Sequence, residues 1–172
     1  MVELEVIAIE PEPSLAARRG QGRPESSVML LRETTDPGRI LPIHIGWAEA
    51  QAIEWGLAQV QTPRPMTHDL MKNLLDEVGV QVERIVVTEL RNDTFFAEII
   101  LRAAGDVHTV SARPSDAVAL ALRIGVPIFA DEDVLSQAGI IPQAEEDSEP
   151  TEEVVEQFRA FIDQVNPEDF AS

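Results

Sequence analysis

With 172 residues, 44% of them hydrophobic and 26% charged, the chain is long enough to bury a real core and has the composition of a folded globular protein. The lack of any cysteine excludes a disulfide framework, thiolate metal sites and cysteine nucleophiles, and favours a cytoplasmic address. A net charge of -18 sets up a field that repels polyanions on average and counts against a DNA or RNA substrate.

The opening residues Met1 to Val6 show no secretory leader, and no apolar run reaches the roughly 18 to 20 residues of a membrane-spanning helix. Alternation over Val2 to Ile9 predicts a first strand, ended by Pro11 and Pro13. Ser14 to Glu25 reads as a loop carrying Arg18, Arg19 and Arg23, which either contact phosphate locally or pair with the acidic C-terminal segment. Strands at Ser27 to Arg32 and Ile40 to Ile45 form a hairpin through the turn Asp36-Pro37-Gly38.

Ala50, Ile53, Leu57 and Val60 recur at helical spacing, predicting a helix from Trp47 to Val60. A second helix is expected to start with Thr67 as its cap and Met66 and Met71 as a hydrophobic staple, running to Val78 and stopping at Gly79. Strands at Val80 to Leu90, Thr94 to Arg102 and Val107 to Ala112 read as an antiparallel meander with turns at Asn92-Asp93 and Gly105-Asp106. A third helix follows Arg113-Pro114 and is ended by Gly125 and Pro127. A short strand near Ile128 and a helical turn from Asp131 to Gln137 complete the fold.

This order predicts an α+β fold with a mixed, largely antiparallel sheet and helices packed on it. The echo between Arg64-Pro65 and Arg113-Pro114, each ahead of a helix, suggests duplication of a strand-helix unit. The domain is expected over residues 1–140. Residues 141–172 are expected to form an acidic linker and a C-terminal amphipathic helix carrying Val154, Val155, Phe158, Phe161, Ile162 and Val165, which docks or binds a protein partner; the acidic stretch reads as a plain solubilising extension more readily than as a nucleic-acid mimic covering the site.

Four segments read together carry a resemblance: Leu41-Pro42-Ile43-His44-Ile45-Gly46, Glu49-Ala50-Gln51-Ala52-Ile53, Arg64-Pro65-Met66-Thr67-His68-Asp69-Leu70, and Ala112 through Leu120. In order and spacing over about Met1 to Ile140 they resemble the bifunctional nuclease family. The resemblance implies an α+β fold with a mixed sheet, homo-oligomers with a dimer favoured, and nuclease activity on DNA and RNA, without an agreed catalytic mechanism. Two positions depart from the family pattern: Asn92-Asp93 stands where Asp-Gly is commoner, and His44 where an apolar or aromatic residue is usual.

A nuclease without a cysteine or serine-triad signature points to carboxylates holding Mg²⁺ or Mn²⁺, with a metal-bound water attacking phosphorus. Asp69, Asp116 and Glu49 are the candidate ligands, a set that only tertiary structure can assemble. His68 is a candidate base or ligand, grouped with Asp69 and Asp116 as catalytic. Arg64 and Arg113 are candidates to grip phosphate, with Ser115 in the same substrate-binding set. Plainer readings stand beside these. Asp69 and Asp116 at helix starts serve equally as caps, and His68 as an ordinary first-turn residue. His108 reads as a face-filling strand residue, His44 as a semi-buried imidazole, and Trp47 with Trp55 as a core or subunit-interface face in preference to a base-stacking platform. The alternative to a nuclease is a non-catalytic oligomeric binding or scaffold module.

Overall fold

Seven strands and four helices make up the framework of the computed structural model, whose described residues are 1–12, 26–35 and 38–142. The Ser14 to Glu25 loop, the Asp36-Pro37 corner, the acidic linker and the C-terminal helix predicted above lie outside them. The strands are β1 (Val2–Pro11), β2 (Ser26–Glu33), β3 (Ile40–Gly46), β4 (Gln81–Arg91), β5 (Thr94–Ala103), β6 (Asp106–Ala112) and β7 (Ile128–Ala130). The helices are α1 (Trp47–Leu57), α2 (Thr67–Glu77), α3 (Pro114–Ile124) and α4 (Glu132–Ala138).

They form one sheet in the order β3-β2-β1-β7-β4-β5-β6. Its neighbours pair antiparallel except β4 with β7, where Ile85, Val86 and Val87 face Ile128, Phe129 and Ala130. The architecture is therefore α+β with a mixed, mostly antiparallel sheet, as the element order predicts. Two three-strand meanders, β1-β2-β3 and β4-β5-β6, each lead into a helix, α1 and α3 respectively, and β7 joins them. The repetition thus pairs α1 with α3. The echo between Arg64-Pro65 and Arg113-Pro114 falls elsewhere, because α2 follows a helix and a connection instead of a strand.

Period-two patterning explains the register. Leu4, Met29, Leu31, Leu41 and Ile43 from the first meander and Ile85, Val87, Ala97 and Ile99 from the second share one buried cluster. Helices α1, α3 and α4 all send residues into that cluster, and α3 is the most deeply buried of them. Its run Ala117-Val118-Ala119-Leu120-Ala121 is almost entirely excluded from solvent, and its alanines let neighbouring helices approach closely. Both α1 and α2 pack on α3. At one crossing Gly56 allows a close approach, because a Cβ there would lie 3.1 Å from both Arg123 Nη1 and Leu122 Cβ and one of them would have to give way.

Several boundaries differ from the sequence expectation for local reasons. Strand β1 continues through Pro11, which pairs with Ser27 across from β2. Helix α1 stops at Leu57 because Gln59 turns into the left-handed region (φ 49°), and Val60 N–H closes back on the Trp55 carbonyl. The cap of α2 is Met66, not Thr67. The Asp69 carboxylate accepts the Met66 N–H at 3.0 Å, which shifts the helix start by one residue and removes the Met66–Met71 staple. The β5–β6 turn is Ala104-Gly105, both with positive φ, so Asp106 already belongs to β6. Asn92-Asp93 also has positive φ at both positions, the geometry that Asn and Asp tolerate best after Gly.

Candidate active site

Each of the three larger helices begins with the same chemistry, an acid three positions after its N-cap: Glu49 after Gly46, Asp69 after Met66, and Asp116 after Arg113. A carboxylate there is favoured by the partial positive charge of the unpaired first-turn amides. The topology then brings the three helix starts to one place. A cavity of about 310 Å³ is lined by Ala48 and Glu49 of α1, Met66, Thr67 and His68 at the start of α2, and Arg113 and Asp116 at the start of α3. Gln51, Ala52, Trp55 and Arg123 complete its wall.

Arg113 ties two of these starts together. Pro114 at the first helical position fixes the entry of α3, and the Arg113 side chain projects from the cap, 64% exposed. Its Nε and Nη2 donate to the two oxygens of Asp116 at 2.8 and 3.1 Å, a bidentate pair, while Nη1 donates to Glu49 Oε1 at 2.9 Å. Glu49 reaches it by folding back over the helix start. Its Oε2 occupies the space a Cβ at position 46 would need, so a larger residue there would push the Glu49 carboxylate aside.

His68 enters from α2. Its residue is 8% exposed, and Nε2 stands 3.4 Å from Asp116 Oδ1. Burial alone would raise the Asp116 carboxyl. The hydrogen bonds and charge of Arg113, with smaller contributions from His68, outweigh it and hold Asp116 below the usual carboxylate range. Two members of the expected site, His68 and Asp116, therefore meet, and Arg113 and Glu49 join them.

Asp69 faces another direction. Its Oδ2 takes the Met66 N–H, and Oδ1 takes Arg123 Nε at 2.5 Å, in a depression beside the cavity that Trp55 and Gly56 share. Burial pushes its pKa up, but the Met66 N–H and Arg123 bring it below the usual range. Arg123 also donates to the Ala119 carbonyl at 2.7 Å, so α2 is latched to α3 beneath His68. Sequence reasoning missed Arg123, although it follows Asp116 by seven residues, two helical turns on the same face.

The remaining candidates scatter. Ser115 is buried behind Arg113, lining a second cavity of about 260 Å³ with His44, Asp93 and Phe95. Arg64 is exposed on the α1–α2 connection, outside the 310 Å³ cavity. His44 is not semi-buried: it stands exposed on β3, 3.2 Å from Glu12, because its neighbours Ile43 and Ile45 take the core face. His108 lies exposed on the edge strand β6. Trp55, expected to pack, stands in the cavity wall.

A metal centre of Asp69, Asp116 and Glu49 would need their oxygens on one point. Arg113 stands between Glu49 and Asp116, and Asp69 is turned to Arg123. Among the described residues no group of three or more His, Asp or Glu side chains is arranged to hold an ion. As arranged, these donors do not fit a divalent cation.

Residues 29–143 match the family described as the bifunctional nuclease domain. An uncharacterized protein of Mycobacterium tuberculosis is 42% identical over 152 residues, 86% of this chain and 91% of that protein. Bifunctional nuclease 2 of Arabidopsis thaliana is 32% identical over 108 residues, 61% of this chain and 32% of the plant protein. Bifunctional nuclease 1 of Oryza sativa subsp. japonica is 23% identical over 135 residues. The region shared with these plant proteins is 32% and 40% of their length. Among the described residues, no helix is long and apolar enough to cross a membrane.

Proposed function

Since the chain belongs to the bifunctional nuclease family, we propose that the cavity where three helices start hydrolyses phosphodiesters of DNA and RNA. The observation that carries this reading is the convergence of three helix N-termini and Arg113 on the His68–Asp116 contact. The helix-start acids already offset the dipole ends, so it is the exposed Arg113 guanidinium that offers a phosphate positive charge at the cavity in a chain of strongly negative charge. Half of that charge lies beyond Pro142, where ten Asp and Glu face one Arg. Arg113 uses three of its five N–H groups on Glu49 and Asp116, leaving two to grip a phosphate from solvent.

Activity on DNA rules out the 2′-hydroxyl as the general nucleophile, so water must attack. With His68 donating Nε2–H toward Asp116, Nδ1 keeps its lone pair and takes the proton as the water oxygen bonds to phosphorus. The far P–O bond breaks, and its oxygen is protonated from solvent. Asp116 orients the imidazole and stabilises its protonated form, while Arg113 offsets the charge gathering on the phosphoryl oxygens. Asp69 positions α2 through Arg123. No step here runs through a metal, and adding EDTA, then Mg²⁺ or Mn²⁺, to a cleavage assay of labelled single strands tests that directly. Strict metal dependence, with Asp69→Asn abolishing metal binding, would contradict this assignment.

A second reading, an oligomeric binding module, draws on one observation. Leu70, Leu74 and Val78 form an exposed stripe on α2, with Leu74 57% and Val78 70% exposed. Light scattering of the wild type against Leu74→Glu tests it: a dimer that becomes a monomer supports this surface, and an unchanged mass rejects it.

A further inference from the structure

Trp55 is half-buried on α1, with part of its surface turned to the cavity. On α1, Ala48, Ala52 and Trp55 follow at i, i+4 and i+7, which places them on one face, and all three line the cavity. Two methyl side chains leave open the space in front of the indole, while Gln51 in the same wall offers an amide donor and acceptor. Arg113 grips the other end beside Glu49. From Glu49, which Arg113 binds, to Trp55 the helix rises about 9 Å, which sets the indole apart from the guanidinium along one wall.

We propose that the cavity seats a single unpaired nucleobase on the Trp55 ring while Arg113 holds its phosphate. This rests on the phosphodiesterase reading for the fate of that phosphate, and it names the substrate class: single strands, frayed ends and extruded nucleotides. In a closed duplex both faces of a base are already stacked, so Trp55 reaches it only after unstacking. The indole accepts any base because every base has a π-face, which suits one site to both DNA and RNA.

The test compares adenosine 5′-monophosphate with ribose 5-phosphate, the same phosphate and sugar without the base, by titration calorimetry on the full chain. The wild type is expected to bind the nucleotide about 5- to 150-fold more tightly. Trp55→Leu keeps an apolar filler and should erase the difference, whereas Trp55→Phe should keep most of it. In Trp47→Phe, where Trp55 is the only tryptophan left, the nucleotide and not the sugar phosphate should quench fluorescence. Equal affinities in the wild type, no saturable nucleotide binding, or Trp55→Leu weakening both ligands alike would overturn the proposal. Base-dependent binding without hydrolysis would uphold it and overturn the phosphodiesterase reading. Equal cleavage of single strand and duplex, with base-blind binding, would overturn it alone.

Discussion

Replacing Arg123 with Met should destabilise the protein by about 2–3 kcal/mol and reduce activity without touching the cavity's acid–base pair. Arg123 is 9% exposed at its side chain and holds Asp69, itself 32% exposed, along with the Ala119 carbonyl. Breaking a fully buried pair costs roughly 3–5 kcal/mol. Asp69 keeps the Met66 N–H and some solvent, which brings the figure down. Asp69→Asn should cost a similar amount, because its one acceptor oxygen faces two donors, Met66 N–H and Arg123, and its NH2 must be turned on one of them. The double variant should lose less than the two singles together, by about 1–3 kcal/mol. Urea unfolding followed by tryptophan fluorescence measures all three. The pH dependence has a definite sign. Asp69 is depressed in the fold, so its contribution is present above the ordinary carboxyl pKa and lost as pH falls through the folded value. The gap between wild type and Arg123→Met should therefore narrow in acid. Additive effects, or an Arg123→Met variant as stable and active as wild type, would show that the latch does not position His68.

Three other expectations concern stability. Ala104 adopts φ 51° in the β5–β6 turn, so Ala104→Asn should raise the melting temperature, by about 0.5–1 kcal/mol of stability in calorimetry. Arg39 donates to Glu33 through Nε, Nη2 and its own backbone N–H, and to Glu132 through Nη1 and Nη2. Arg39→Lys, a single point donor, should recover little of the stability lost in Arg39→Ala when the three proteins are compared in urea. The depressed Asp116 carboxyl contributes stability above the ordinary carboxylate range that disappears as pH drops through its folded value, so Asp116→Asn should flatten the acid limb of the unfolding curve.

Most of the fold was legible because its elements carry clean periods: Leu4, Met29 and Ile85 on alternating strands, and the Ala-rich α3 between Pro114 and Gly125. The misses were one-residue decisions made by backbone conformation or by a single carboxylate, at Gln59, Ala104 and Met66, where local propensity is nearly balanced. The site was legible only as an inventory. Helix-start acids announce Glu49, Asp69 and Asp116 equally, but which of them meets His68 depends on how α1 and α2 cross α3. Arg123 decides it by claiming Asp69, leaving Asp116 for the imidazole. Trp55 reads as packing, and the structure leaves it half-buried with part of its surface in the cavity wall, a division that helical spacing alone does not give.

The central claim is that His68, held against Asp116 under Arg113, moves the proton in phosphodiester cleavage. Single-turnover cleavage of a labelled single-stranded oligonucleotide by wild type and His68→Gln, with matched unfolding curves, tests it most directly. His68→Gln is expected to lose about 10²- to 10⁴-fold in rate at unchanged stability. An equally stable His68→Gln protein that cleaves as fast as wild type would contradict it.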